Sequence, residues 1–279
     1  MKNKILVTAV IIIFSSVIFL GWGDKGHKTI ASYAMKNLSS VIKIPADWQT
    51  YVVEHAADPD YRKSSDKTEP NKHFIDIDFY KEFQKGKMIQ SLDSVKMFYP
   101  DSVITKMGTL PWTVENTFNN LVKAFKEKNK SNILLYLSDI AHYVGDAHQP
   151  QHTSLNYNGQ LTGQKGLHFR YEIDMLDSNL TELKSKFVSG KPEKINNIRE
   201  YIFNVITRTN TFCDLLTSAD KFAMTGKPAL QYDDEYRKMM WYRTKFFTVD
   251  QFNLAGKELA SVIYTAWLNS GKPNLDSIK

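Results

Sequence analysis

Two short spacings carry the chemistry of this sequence. His142 is followed four residues later by Asp146, and His168 four residues later by Glu172. Residues four apart on a helix share a face, so each imidazole stands one turn from a carboxylate. Imidazole nitrogen and carboxylate oxygen are ligands that zinc accepts, and a pair one turn apart can close on one ion from a rigid support. His152, in HQPQH just past Pro150, supplies a third imidazole from a loop. For a single pair, the bland alternative is a surface histidine hydrogen-bonded to an acid. Two pairs with a flanking histidine favour metal, because two chargeable groups on an otherwise buried helix are costly unless a cation compensates both.

The elements that position these residues are helical. Apolar residues recur at helical spacing through Ile30, Ala34, Leu38 and Val41, and again through Phe118, Leu121, Val122 and Phe125. Ile133 to Val144 is apolar on more than one face, which predicts a central helix covered by its neighbours and stopped by Pro150. Further helical patterns cover Ile195 to Leu216, Asp233 to Phe247 and Phe252 to Leu268. Strand alternation is nearly absent, and Lys63 to Asn71 and Asn156 to Gly166 read as irregular loops. With no internal repeat, the expectation is an all-α fold, a single-domain helical bundle with functional loops.

Lys2 and Lys4 precede an apolar run from Ile5 to Leu20, the pattern of a signal peptide. Residues 1–21 are therefore expected to be a cleaved leader, residues 22–279 the working domain, and the location secreted or periplasmic. The run is also near the lower limit of a membrane span, so an anchor is the alternative; no later stretch is long and apolar enough. The net charge of +6 falls to +4 without Lys2 and Lys4, a mild bias toward anionic substrates. The one cysteine, Cys213, excludes an internal disulfide framework and reads as a small buried hydrophobe.

The run HYVGDAHQPQH at His142–His152 resembles the signature of the phospholipase C and single-strand nuclease superfamily, whose nuclease branch is the S-one/P-one family of trinuclear zinc enzymes. WGDKGH at Trp22–His27 is similar to the mature amino terminus of those nucleases. HAADPDYR, ending at Arg62, resembles their acidic segment, HFID at His73–Asp76 their next metal histidine, and HFRYE at His168–Glu172 their last ligand pair. The matches keep family order from residue 22 to about residue 176.

The resemblance implies three Zn2+ ions per chain. One takes Asp58, His73, His142 and Asp146; a second takes His152, His168 and Glu172. The third takes His27, a bridging oxygen of Asp146, and the amine and carbonyl oxygen of Trp22, an amine that only cleavage before Trp22 creates. A water acidified between zinc ions would attack phosphorus in line, with Asp58 and Asp146 among the catalytic residues. Arg62 either clamps a non-bridging phosphate oxygen or closes an ion pair with a nearby aspartate. Pro59 is one residue more than the nuclease pattern has at this point. Phe74 and Asp76 stand where the nuclease branch stacks a base and reads its edge, or Phe74 is plain core. Trp112 and Tyr157 line the cleft or pack. His55 and His148 fall outside the ligand pattern, as a hydrogen-bonded helix residue and as a residue supporting a ligand or lying on the surface.

The short Trp22–His27 spacing favours the nuclease branch, whereas Glu172, where that branch usually has aspartate, resembles the zinc phospholipases. Hydrolysis of single-stranded nucleic acid or nucleotides to 5′-phosphate products is the preferred expectation, and action on choline phospholipids the alternative, with no stable membrane anchor after processing. A zinc-binding helical protein without catalysis would typically have lost a ligand. Paired Glu-x-x-His motifs, an adjacent His-Asp pair and a GxSxG elbow are all absent, which argues against di-iron, other phosphohydrolase and serine hydrolase chemistry.

Overall fold

The central helix, Lys130–Ala147, starts where Asn129 caps it by accepting a hydrogen bond from the Asn132 amide at 3.1 Å. From Ile140 to Ala147 every residue is buried, which fits its apolar composition on all sides. It pairs with Leu110–Glu127 through a tight connection at Lys128, whose φ of 53° is left-handed. On other sides it meets the first helix, Gly23–Leu38, the Ala46–Glu54 helix and the C-terminal helix, Asp234–Asn269.

The C-terminal helix corrects the sequence reading, which split it at residues 248–251. No glycine or proline interrupts that stretch, and its 36 residues span about 54 Å at 1.5 Å per residue. Thr248 donates to the Thr244 carbonyl and Gln251 to the carbonyl of His148, so polar residues that interrupt the apolar pattern are satisfied inside the bundle. Gly256 lets this helix approach the first one: a β-carbon there would stand 2.5 Å from Cβ of Tyr33. The expected helix over Ile195 to Leu216 is instead two, Ile198–Asn210 and Cys213–Ala223, separated at Thr211 and Phe212. Short helices fill the region from Asp58 to Lys106, where the pattern gave no long period.

The computed structural model describes residues 22–228 and 230–279, and among these there is no strand. The protein is an all-α helical bundle, as expected. The expected leader lies outside the described residues. No described helix is long and apolar enough to cross a membrane.

Candidate metal centre

Donors from distant parts of the chain meet along the buried flank of the central helix. His27 comes from the first helix, Asp60 from a short helix at Asp58–Arg62, and His73 follows a 3-10 turn at Pro70–Lys72. His142 and Asp146 belong to the central helix, and His152 to a 3-10 turn at Pro150–Thr153. His168 lies in a short helical segment, Leu167–Phe169, that runs into a π-helical turn, Arg170–Met175, carrying Glu172. All eight side chains belong to residues no more than 4% exposed.

Nε2 of His142 lies 2.9 Å from Nδ1 of His73, and each nitrogen lies 3.1 Å from Oδ2 of Asp146. Oδ1 of Asp60 stands 3.5 and 3.6 Å from the same two nitrogens. Tetrahedral zinc ligands about 2.0–2.2 Å from the ion are roughly 3.3–3.6 Å apart, so these four donors are already near that spacing. In a second group, Nε2 of His168 is 2.8 Å from Oε2 of Glu172 and 3.1 Å from Nε2 of His152. His27 approaches the other oxygen of Asp146, Nε2 to Oδ1, at 3.5 Å and stacks on His142 with ring centroids 3.9 Å apart. Asp146 thus turns its two oxygens toward different imidazoles.

Main-chain contacts fix how these rings point. Nδ1 of His142 meets the Ala56 carbonyl at 2.9 Å and Nδ1 of His152 meets the His73 carbonyl at 2.7 Å. Donation from Nδ1 assigns each neutral ring the tautomer whose Nε2 lone pair faces the cluster. Gly145 makes room for His27, since a β-carbon there would lie 3.0 Å from its Nδ1.

The donor set fits a metal. Both nitrogens of His27, Oδ2 of Asp60 and Oδ1 of Asp146 are buried without a hydrogen-bond partner. Each such atom costs about 1–3 kcal/mol unless something satisfies it, and a cation shared by Nε2 of His27 and the two carboxylate oxygens would do so for three of the four. Three overlapping groups of metal-ligating residues result: His27 with Asp60 and His142, His73 with His142 and Asp146, and His152 with His168 and Glu172.

Electrostatics prepare the ligands. Burial holds His27 down at about 3 and His168 at about 4, so both imidazoles are neutral donors at neutral pH. Burial raises the Glu172 carboxyl to about 8. Burial also works against the charged form of Asp146, but His142 and His152 outweigh it and hold that carboxyl well below its ordinary value.

These shifts give a pH dependence for the metal-free protein. The folded state binds fewer protons than the unfolded one at His27 and His168 between their ordinary value of 6.5 and about 3 and 4. Stability from these two groups is therefore complete above that window and lost as pH falls through it. Glu172 has the opposite sign and withdraws stability as pH rises from its ordinary 4.5 to about 8. Thermal melts in chelator are expected to show both limbs, and added metal to shrink the alkaline one by displacing the proton from Glu172, leaving the share of Asp76, whose carboxyl burial raises to about 7. An alkaline limb that persisted unchanged in metal would contradict this placement of Glu172.

Asp58 is not brought to the cluster. Its carboxylate lies 2.7 Å from Nδ1 of His55, and its side chain is 42% exposed. Asp60 takes its place. Pro59 lies in the first turn of the short helix, where residues two apart differ by about 200° in direction, so only one of the two aspartates can face inward. Arg62 makes the ion pair rather than pointing at the donors: its guanidinium is 2.9 Å from Asp139 and 3.6 Å from Glu69. The cation at the cluster is the next residue, Lys63, with Nζ 2.7 Å from Oδ1 of Asp60.

Trp22 stands at the start of the first helix, its indole donating to the Gly145 carbonyl at 2.9 Å. Phe74 is half-buried, and Asp76 is buried with its carboxyl raised to about 7 by burial and by Asp78. Trp112 packs, donating to the Gln90 carbonyl at 2.8 Å, whereas Tyr157 is exposed beside His168. His148 is fully buried and bonded to Glu258 at 2.8 Å. The thiol of Cys213 faces the Pro150 carbonyl at 3.1 Å, and burial pushes it up to about 12.

Sequence reasoning passed over the residues that hold ligands in place. Gln149 donates to Glu172 at 2.7 Å and, through its own oxygen, accepts from the Gln151 amide. Arg170 lies between His168 and Glu172 in sequence yet is 4% exposed, binding Asp220, the Tyr236 hydroxyl and the carbonyls of Gln164 and Lys165. No local signal marks it: two residues from each ligand it faces away from both, and it is buried by Asp220 of the Cys213–Ala223 helix and Tyr236 of the C-terminal helix, both remote in sequence.

A family described as S1/P1 nuclease matches residues 22–273. No curated protein matches the chain. Among solved structures, Alpha Toxin from Clostridium Absonum is similar with a TM-score of 0.50 and 13% sequence identity, over 90% of this chain and 65% of the toxin chain. The chain thus spans about two thirds of that toxin's length, and at this identity the likeness concerns the fold.

Proposed function

The chain belongs to the S1/P1 nuclease family, and from that premise we propose that it is an exported, zinc-dependent phosphodiesterase that hydrolyses single-stranded nucleic acid or nucleotides to 5′-phosphate products. The observation that carries this reading is Asp146, with one oxygen 3.1 Å from His73 and His142 and the other 3.5 Å from His27. Asp60, His73, His142 and Asp146 would hold one zinc, and His152, His168 and Glu172 another. His27, Asp146 and the main-chain end of Trp22 would hold the third, which requires removal of residues 1–21 and leaves residues 22–279 as the working domain.

Zinc at these positions would supply Lewis acidity, making water acidic enough to attack phosphorus near neutral pH and offsetting negative charge on the phosphate. The protein's own part is to hold the donors in one protonation state and to exclude competing water. Lys63 takes the role first expected of Arg62, placing its ammonium where it can meet a non-bridging phosphate oxygen once Asp60 is engaged by metal. Phe74 stacks on a base, and Asp76, raised to about 7, carries or accepts a proton at the base edge near neutral pH.

Glu172 supports one second reading, hydrolysis of choline phospholipids. Both substrates should be offered to one preparation: denatured DNA or RNA, and lecithin vesicles scored for phosphocholine, at the same zinc concentration. Cleavage of nucleic acid without phosphocholine release is expected; the reverse would overturn the nuclease reading. In the same assay Lys63→Met is expected to lower kcat/KM about 10- to 100-fold with zinc content retained. An unchanged rate would remove Lys63 from the reaction.

A further inference from the structure

On the outer side of His73, away from the other donors, lies a buried ionic network that no part of the reaction described above uses. Nε2 of His73 lies 3.4 Å from Oε1 of Glu69, whose residue is only 1% exposed. The same oxygen accepts a short hydrogen bond from the Tyr143 hydroxyl and stands 3.6 Å from the Arg62 guanidinium. The other oxygen, Oε2, pairs with Lys72 at 2.8 Å. Arg62 is itself held by Asp139 at 2.9 Å, one turn before Tyr143 on the central helix.

Geometry orders these contacts. Glu69 is four residues before His73, on the other side of the Pro70–Lys72 turn, and reaches back to the nitrogen that faces away from Asp60, His142 and Asp146. The carboxylate stands 3.4 Å from the outer nitrogen, within ion-pair distance though outside hydrogen-bond geometry, and its charge favours the proton there, leaves Nδ1 as the lone pair toward the cluster, and raises the donor strength of the ring. Tyr143 follows His142 directly, and its ring lies against His73 with centroids 5.6 Å apart. The hydroxyl of Tyr143 therefore ties the backbone beside one donor to the carboxylate behind another. An isolated buried carboxylate is costly, and three cationic or hydroxyl partners make this one tolerable.

We infer that Glu69, held in place by Tyr143, Arg62 and Lys72, is a positioning residue for His73 that sets the affinity of the metal ion shared by Asp60, His73, His142 and Asp146. The inference rests on the zinc reading above. It gives Arg62 a role through Glu69 instead of through the phosphate.

The test is a zinc titration of purified wild-type protein and variants against a chromophoric chelator, with Co2+ as a spectroscopic stand-in. Glu69→Gln is expected to weaken one ion per chain by about 10- to 100-fold, to leave the others unchanged, and to shift the Co2+ absorption of that site. Arg62→Met is expected to weaken the same ion by a smaller factor, with KM at saturating zinc unaltered. Full wild-type affinity in Glu69→Gln overturns the inference, as does an Arg62→Met protein that loads fully and shows only a raised KM. If Glu69→Gln does not accumulate as folded protein, Tyr143→Phe decides: a loss of about fivefold or more for the same ion supports the role, and none overturns it. Wild-type protein that bound no zinc would defeat the zinc reading itself, whereas normal loading of both wild type and Glu69→Gln defeats only this inference.

Discussion

Replacing Asp146 with asparagine is expected to remove two metal ions together and to lower kcat/KM by at least about 10³-fold, the scale of losing a preorganised group that stabilises charge in the transition state. The substitution preserves shape, so the effect is electrostatic. Oδ2 of Asp146 lies 3.1 Å from both His73 and His142, and Oδ1 lies 3.5 Å from His27. An asparagine replaces one of these oxygens with an NH2 group, which can donate a hydrogen bond but cannot coordinate. Whichever way the amide turns, one set of imidazoles faces that NH2 group and the charge that holds a second cation is gone. Metal analysis of the purified variant checks this, and an Asp146→Asn protein with full metal content would refute the sharing of this carboxylate. Asp58→Asn is the matched control, expected to keep metal and rate because its side chain is outside the cluster and bonded to His55.

Arg170→Met should be the most destabilising single change near the site, at about 3–5 kcal/mol, the usual consequence of leaving a buried charge without its partner. Asp220, 2% exposed, receives the guanidinium at 3.0 Å together with the Gln164 amide and the Tyr236 hydroxyl. Methionine fills part of the volume but leaves that carboxylate short of charge and the Gln164 and Lys165 carbonyls without their donor. Those carbonyls belong to the loop before His168, and Arg170 begins the π-helical turn that carries Glu172. The π turns of helices often mark sites where a side chain must be re-aimed. Urea denaturation with and without zinc measures the effect. A loss under about 1 kcal/mol would mean that the loop and the turn are held by something other than this arginine.

Much of the centre was legible because metal chemistry restricts residue types. His142, Asp146, His152, His168 and Glu172 follow from spacing and from the cost of burying charge on an apolar helix, and His27 and His73 from family resemblance. Asp60 was not, because two aspartates flank Pro59 and only the three-dimensional course of a five-residue helix decides which faces inward. The two roles open to Arg62 are not separable in sequence for a similar reason, since its partner Asp139 is on the central helix, remote in sequence. The bundle itself was readable from apolar periodicity. The uninterrupted C-terminal helix was not, because its apolar stripe is broken by Thr248 and Gln251, polar residues that bond within the bundle.

The first helix is registered against one position of the central helix. The indole of Trp22 bonds the Gly145 carbonyl at 2.9 Å, and His27 lies 3.0 Å from where a side chain at 145 would begin. Anything fused ahead of Trp22 must pass this crossing, and any distortion there reaches His27 within five residues. Lys279 is exposed, and none of the eight donors comes from residues 173–279. Affinity handles, fluorophores and surface tethers therefore belong on exposed side chains such as Lys279, remote in sequence from every donor.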